Sequence, residues 1–425
     1  MNRNRHIARR LDLQRFATVT QTTTLPAMSV EMKTYYEKRL LDNAEPKLVH
    51  NQFGDKYPIP KNGGKTIEFR KYDPLPKATT PLIEGVTPDG NNLHPSNILA
   101  TVDQYGDWIQ LSDMIDMTAI DNNVLQATKL LGSQSGRTLD TITRDVLAGG
   151  TNVIYAPKLT KNPNGDITAI DPVSSRYALD KNCVLTPDLI FQAAALLAAQ
   201  NADVIDDSFV AIIHPYAKYD LMRNKEWIDV HKYATPDNYY RGEVGKIGNV
   251  RFVETSEAKI IKAPALPKTG LTVASYASKV ITLGQGLSAD EAAAFAGRLI
   301  LVDGVQYEVA SATAHVSAGT ITVKDDAQAG ANTPAANDVI YPGESGAAGV
   351  AVFGTIVLGA HAYGLTEIEG GGLKHIVKQL GYGDDPLDQR SSTGWKATHV
   401  AKRLCEQFMV RIESGSAYSE MAEAN

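Results

Sequence analysis

IDNNVLQATKLLGSQSGRTLDTITRDVL, residues Ile120 to Leu147, is the stretch whose reading decides the fold. Val124, Leu131, Leu139, Ile142 and Val146 recur at helical spacing, with Ala127 and Ser135 filling in. That is the period of one helix face, about 100° per residue. Asn123, Gln126, Lys129, Gln134, Arg137, Asp140 and Arg144 are expected on the opposite face. Asp121 is a candidate N-cap, and Gly149-Gly150 stops the pattern. At about 1.5 Å per residue the helix is roughly 40 Å long, well beyond the common ~10–14 residues. Gly132 is its weak point, costing up to ~1 kcal/mol against alanine and allowing a bend near Gly132 to Gly136.

Upstream of this helix, TIEFRKY (Thr66 to Tyr72) and ILATVDQYGDWIQLSD (Ile98 to Asp113) alternate and each read as a strand. Between them Pro74 to Pro95 holds five prolines with Gly85 and Gly90, so it is a long loop, a kind uncommon in compact domains and usually functional or disordered. The pair makes an extended two-stranded arm with too little core to stand alone, expected to lie on another subunit. Asn62-Gly63-Gly64-Lys65-Thr66 ends like a phosphate loop, but its first glycine position is Ile59 and a strand follows, so it reads as a turn. Further upstream, Met28 to Leu41 is helix-like. The first 24 residues carry Arg3, Arg5, Arg9, Arg10 and Arg15 against Asp12. They lack the apolar core of a signal peptide and read as a basic arm for a polyanion or a neighbouring subunit.

Downstream, Thr186-Pro187-Asp188 opens the helix LIFQAAALLAAQNA with a cap, a proline and a first-turn acid. SFVAIIHP (Ser208 to Pro215), the helix AKYDLMRNKEW and GNVRFVET (Gly248 to Thr255) then suggest a compact α/β core. His214 ends a strand, a place where active sites occur, yet no acid, serine or second histidine lies near it in sequence. From Ala263 to Gly349 the composition shifts: no tryptophan, and four basic against eight acidic residues. Ser288-Ala289-Asp290-Glu291 fits a capping box, and RLILV, Asp303-Gly304 and VQYEV fit a hairpin. A small β-rich inserted domain is expected there. The core resumes with the strand-rich Val350 to Ile368, and Phe408, Val410 and Ile412 mark a closing strand. Asp384, Asp385 and Asp388 form an acidic turn that could hold a hard cation or simply cap a loop.

Composition excludes several classes. The 425 residues are 43% hydrophobic and 21% charged with net charge −6, an ordinary globular balance long enough for two or more domains. No apolar run reaches the roughly 18–20 residues that span a bilayer. Two cysteines, Cys183 and Cys405, argue against a disulfide framework and fit a reducing cytoplasm. The mild acidity argues against a dedicated DNA-binding protein while leaving local basic patches.

The order of basic arm, long hairpin loop, long helix, α/β core with an insert and closing strand resembles the major capsid proteins of tailed bacteriophages with the Hong Kong 97-like fold. The branch it is most similar to is typified by the coat protein of phage N-four. LLDNAEPKLVHNQFGDKYPIPKNGGKTIEFRKY, PLIEGVTPDG and GDDPLDQRSSTGWKATHVAKRL carry the likeness. The resemblance implies an α+β chain divided into an N-terminal arm (1–55), an extended loop (56–108) and a peripheral domain with the spine helix (109–185). An axial domain (186–262 and 350–373) would follow, interrupted by the β-rich insert (263–349), and 374–425 would return to the peripheral domain. It implies a non-enzymatic shell protein of pentamers and hexamers in a virion, assembled in the bacterial cytoplasm. Portal, scaffold and decoration proteins and packaged DNA would be its partners, with no cofactor. Arg3, Arg5, Arg9, Arg10, Arg15, Arg70, Lys71, Trp108, Arg390 and Trp395 are the candidate inter-subunit or DNA-facing contacts. An encapsulin-like nanocompartment shell and a soluble α/β enzyme using His214 or the acidic turn are the alternatives.

Overall fold

The computed structural model describes residues 20–21 and 49–425, apart from 73–74, 76, 80, 82–83, 85–89, 94, 119–122, 163–166, 226–244, 264–265, 269, 304, 326–332, 344 and 381–384. The expected basic arm, the Met28 to Leu41 helix and the Asp121 cap lie outside the described residues. In chain order the chain begins with strands β1 (Thr20–Gln21), β2 (Asp55–Lys56), β3 (Thr66–Tyr72), β4 (Pro95–Thr101) and β5 (Asp103–Ser112). Helices α1 (Asp113–Thr118) and α2 (Asn123–Ala148) follow, then β6 (Val153–Tyr155), β7 (Lys158–Lys161) and β8 (Ile167–Asp171). Next come α3 (Pro187–Ala199), β9 (Phe209–Ile213), α4 (Pro215–Met222), β10 (Lys246–Ile247), β11 (Val250–Glu254) and β12 (Ile260–Ile261). After them run β13 (Val273–Ala277), β14 (Val280–Leu283), α5 (Ala289–Phe295), β15 (Leu299–Val302), β16 (Val305–Thr313), β17 (Thr320–Val323) and β18 (Ile340–Pro342). The chain closes with β19 (Val352–Leu358), β20 (Tyr363–Thr366), β21 (Lys374–Lys378), β22 (Arg390–Arg403) and β23 (Met409–Ser414). The described residues form two compact units, one of 20–21, 56–139 and 365–400, the other of 49–55, 140–364 and 401–425.

In the first unit β3 and β4 pair antiparallel from Thr66 opposite Thr101 to Tyr72 opposite Pro95. The run expected as one strand from Ile98 to Asp113 is in fact two. Val102, 3% exposed, breaks it, donating its N–H to the Lys65 carbonyl at 2.9 Å. One sequence stretch therefore serves two sheets: β4 stays with the hairpin, and β5 runs antiparallel along β22, Asp103 opposite His399 to Ser112 opposite Arg390. No glycine or proline marks the break, so alternation alone ran through it. β21 lies on the other edge of β22, Lys374 opposite Lys396. The first part of α2 covers this sheet: Leu131 packs with Trp395 and Ala397, flanked by Tyr105, Ile109 and Leu139. The Gln134 side chain fixes the contact, its Nε2 donating to Asp107 Oδ2 at 2.7 Å and its Oε1 accepting from Trp395 Nε1 at 3.2 Å.

α2 is 26 residues long, as its period requires, but the buried face is not the expected one throughout. Ala127, Leu131 and Ser135 are buried as predicted; beyond Leu139 the buried residues are Asp140, Thr143, Arg144 and Leu147. Asp140 and Arg144, expected on the solvent face, are each 1% exposed. A straight helix drifts against a regular apolar repeat, and here the drift brings two charged side chains inward, where each has partners.

The second unit is built on the sheet β10-β11-β9-β19-β23-β6, with β12 also on β19. Every residue of β9 and β19 is buried, which is why neither alternates between apolar and charged residues. Leu189, Ile190, Ala193 and Leu197 of α3 pack on that sheet with Phe209, Ala211 and Phe353. Proline at N1 starts α3 as expected, though the Thr186 side chain makes no capping bond.

Residues 271–342 form a separate six-stranded sheet, β13-β14-β17-β16-β15-β18, with its own core of Leu271, Ile281, Leu283, Phe295, Ile300, Val309 and Ile321. The Ser288 capping box and the β15–β16 hairpin are both present. The sheet also closes on itself. Val273 N–H donates to Asp338 O at 2.8 Å, Asn337 N–H to Val273 O at 2.8 Å, and Ile340 N–H to Leu271 O at 2.9 Å. Thus the start of β13 is hydrogen-bonded to the segment entering β18, and the sheet curls into a small barrel there. Where the chain enters and leaves it, Ala263 N–H donates to Ser345 Oγ at 3.0 Å.

Candidate interaction surfaces

Among the described residues the β3–β4 hairpin has no third strand. Ile67 and Phe69 are half-buried on one face, Tyr57 meeting Phe69 edge-on at 5.2 Å. On the other face Tyr72 is 57% and Leu99 62% exposed. A two-stranded hairpin is marginal by itself, and these apolar side chains lie open on it. Arg70 and Lys71 stand on its opposite faces by alternation, both exposed. Trp108 is exposed, and Gly394 opposite it makes room: a Cβ there would fall 2.7 Å from Trp108 Cβ.

Trp395 is a correction to the contact set. It pairs with Asp107 on the face of β22 that α2 covers and is 6% exposed, so its ring packs within the chain. The two tryptophans thus lie on opposite faces of one sheet, which residue type could not tell apart. Arg390 is half-exposed at the start of β22, its N–H donating to Asp385 Oδ2 at 2.7 Å and its Nε 3.9 Å from Asp385 Oδ1. Asp385, 8% exposed, thereby caps the strand, and among the described residues no three acid, histidine or cysteine side chains are placed to hold a metal. Asp384 and the arginines Arg3, Arg5, Arg9, Arg10 and Arg15 lie outside the described residues. The Asn62 to Thr66 stretch is a turn, with Asn62 and Gly64 at φ 68° and 93°.

His214 has a structural task. It is the N-cap of α4, its Nδ1 accepting the Tyr216 N–H at 3.1 Å, with the Tyr216 and Phe353 rings centred 4.8 and 5.1 Å away. Burial pushes its imidazole down to about 4, with Glu254 opposing weakly. Between about pH 6.5 and 4 the unfolded chain therefore binds a proton that the folded chain refuses. Stability falls as pH drops through that window, by at most about 3 kcal/mol, and levels off below it. His214→Asn keeps a capping acceptor and is expected to flatten this part of the pH–stability curve in urea titrations. An unchanged slope would assign the titration elsewhere.

Two buried ionic groups carried no sequence signal. Asp140 accepts from His50 at both its backbone N–H (2.8 Å) and Nδ1 (2.6 Å), and Tyr363 Oη donates to the His50 carbonyl. Burial pushes the Tyr363 hydroxyl above its ordinary value. Arg144 Nη1 donates to the Glu257 carbonyl at 3.1 Å and lies 3.7 Å from its carboxylate, while Nε and Nη2 reach Asp145. Both groups bind the second half of α2 into the unit that contains it.

No protein-family model matches this sequence, and no curated protein matches it significantly. Solved structures do match. The capsid chain of cyanophage Pam1 is similar with TM-score 0.54 and 13% identity, over 92% of this chain and 98% of that one. The capsid of cyanophage P-SCSP1u gives 0.53 and 14%, over 92% and 94%, and that of Ralstonia phage GP4 0.51 and 11%, over 92% and 97%. The chain therefore has the α+β fold of these phage capsid chains over nearly its whole length.

Proposed function

We propose that this chain is the major capsid protein of a tailed bacteriophage, assembling as pentamers and hexamers into the icosahedral head shell around double-stranded DNA. The observation that carries the reading is the fold shared with phage capsid chains end to end, 92% of this chain on 98% of the Pam1 chain. The exposed hairpin supports it: a surface unsuited to an isolated subunit becomes buried when another copy lies beneath it. Head-to-tail contacts about a rotation close into rings, and many contacts per subunit make a shell stable although each is weak.

In this reading the partners are other copies first, then portal, scaffold and decoration proteins. Packaged DNA is met non-specifically, through basic side chains and with strong salt dependence. Assembly takes place in the host cytoplasm and the product resides in the virion. Residues 56–108 form the loop that lies over a neighbour, α2 the spine of the peripheral domain, and the β9–β11 and β19 strands the axial domain. The barrel of residues 271–342 projects from that domain.

Sedimentation velocity with electron microscopy, on the protein alone and with its neighbouring virion genes, tests the reading. Closed particles of megadalton mass containing DNA are expected. A stable 45.9 kDa monomer under both conditions would overturn it.

A further inference from the structure

The face of the β5–β22–β21 sheet opposite α2 is basic and carries an open indole. In register across the three strands, Trp108 stands opposite Gly394 and Gly394 opposite Ile376. Two residues along, Gly106, Lys396 and Lys374 make the next row on the same face. Trp108 is 58% exposed, and both lysines are exposed. Gly106 and Gly394 put no side chain beside the lysines or the indole, so the floor between them is flat backbone. Strand alternation sends the only acids of these three strands, Asp103 and Asp107, to the α2 face.

The lysine pair calls for an anion. Lys374 and Lys396 are directly opposite each other, a placement that like charges disfavour. Neither has an ion pair or side-chain hydrogen bond among the described residues. Lys378 and Arg390 share the face but have partners of their own. Glu367 and Glu369, the acids nearest along the chain, come before β21 and outside the three strands. With strands ~4.8 Å apart and ~6.8 Å between alternate residues, a phosphate on the lysines adjoins the indole. Phosphate for the cations and a π-face for the indole are the two halves of a nucleotide. A basic surface with an open aromatic ring is how a single strand is held without sequence preference. A duplex hides its base faces in the stack, and an acidic polypeptide brings no π-face beside each charge.

We propose that this face of the β5–β22–β21 sheet binds single-stranded nucleic acid, a phosphate seated on Lys374 and Lys396 and a base stacked on Trp108. The inference goes beyond the shell reading and does not rest on it, because the whole platform belongs to one unit of a single chain.

Anisotropy of a labelled oligothymidylate titrated with the full chain, at concentrations too low for particles, tests the site. All three side chains are exposed, so the variants should unfold at the same temperature as the unaltered chain. Lys374→Gln with Lys396→Gln should lower the slope of log K against log salt by about 1.4, the share of two phosphates on a single strand. Trp108→Ala should weaken binding by about 5- to 150-fold, the range of one stacked base. The salt slope should then be unchanged, and Trp108→Phe should keep most of the affinity. The arginines of the first 24 residues add the same background to every variant. Affinity that neither change moves would overturn the proposal. An equal Trp108→Ala loss on a duplex would overturn the stacking, since paired bases offer the indole no face. Polyglutamate that displaces the strand and binds Trp108→Ala as well as the unaltered chain would overturn it too, and assign the face to an acidic polypeptide. Particle formation by the unaltered chain is read separately, so failure here leaves the shell reading intact.

Discussion

Replacing Glu413 by alanine is expected to destabilise the unassembled chain by about 3–5 kcal/mol, the usual cost of removing one partner from a buried ion pair. Glu413 is 0% exposed on β23. Its Oε1 accepts from Arg411 Nε at 2.8 Å and from Arg176 Nη2 at 2.7 Å, and its Oε2 from Arg176 Nε at 2.7 Å. The Arg176 contact is the two-pronged guanidinium–carboxylate fork, the stronger form of such a pair, and that hydrogen bonding raises the Arg176 pKa against the opposing effect of burial. Arg411 in turn donates to the Ala148 and Gly150 carbonyls at the end of α2, where carbonyls lack helical partners and a cation is favoured. Without Glu413 the Arg411 side chain, 6% exposed, has no counter-charge, and the helix end loses its fixed cap. Arg176→Ala should cost less, because Arg411 keeps its carboxylate and the Arg176 site is 23% exposed. Urea unfolding of both single variants and the double variant checks this, since contacting residues couple. A Glu413→Ala loss below about 1 kcal/mol would mean that water reaches the site and replaces the carboxylate.

The parts of this fold that were legible beforehand are those whose cause is local. The period of α2, the apolar run of β9, the proline at the start of α3 and the Ser288 box all follow from a few neighbouring residues. What was not legible depends on partners far along the chain. Asp140 looks like a solvent-face residue until His50, 90 positions away, is placed against it. Arg144 is explained by Glu257, 113 positions away. The break at Val102 needs no special residue, because the direction change is set by Lys65 on one side and by β22 on the other. Trp108 and Trp395 illustrate the same limit for surfaces. Alternation states that neighbours on a strand face opposite ways, but only the arrival of α2 decides which face is covered. Barrel closure is likewise invisible locally, since it joins Val273 to Asp338 by hydrogen bonds between strands that are far apart in sequence.

Deleting residues 81–94 and joining the ends with a short turn is expected to leave a folded subunit and abolish stable shells. The β3–β4 ladder runs from Thr66 opposite Thr101 to Tyr72 opposite Pro95, so the deletion spares every paired residue. The fold elsewhere draws its stability from cores to which the removed segment contributes no buried residue among those described. Thermal unfolding of the unassembled chain should therefore be nearly unchanged. Assembly is different. Leu93, 68% exposed, is removed, and the extended reach that carries Leu75 and Tyr72, 53% and 57% exposed, is shortened. Fully burying a large apolar side chain contributes about 1.5–3 kcal/mol, so loss of one or two such contacts weakens each subunit junction by about 2–4 kcal/mol, a factor of roughly 30 to 1,000. Because every subunit in a shell repeats the junction, the weakening multiplies across the particle. Sedimentation velocity should then show only slowly sedimenting species at concentrations where the unaltered chain yields particles. Normal particles from the deleted chain would show that the loop tip is dispensable, and the contacts that hold the shell would have to lie elsewhere.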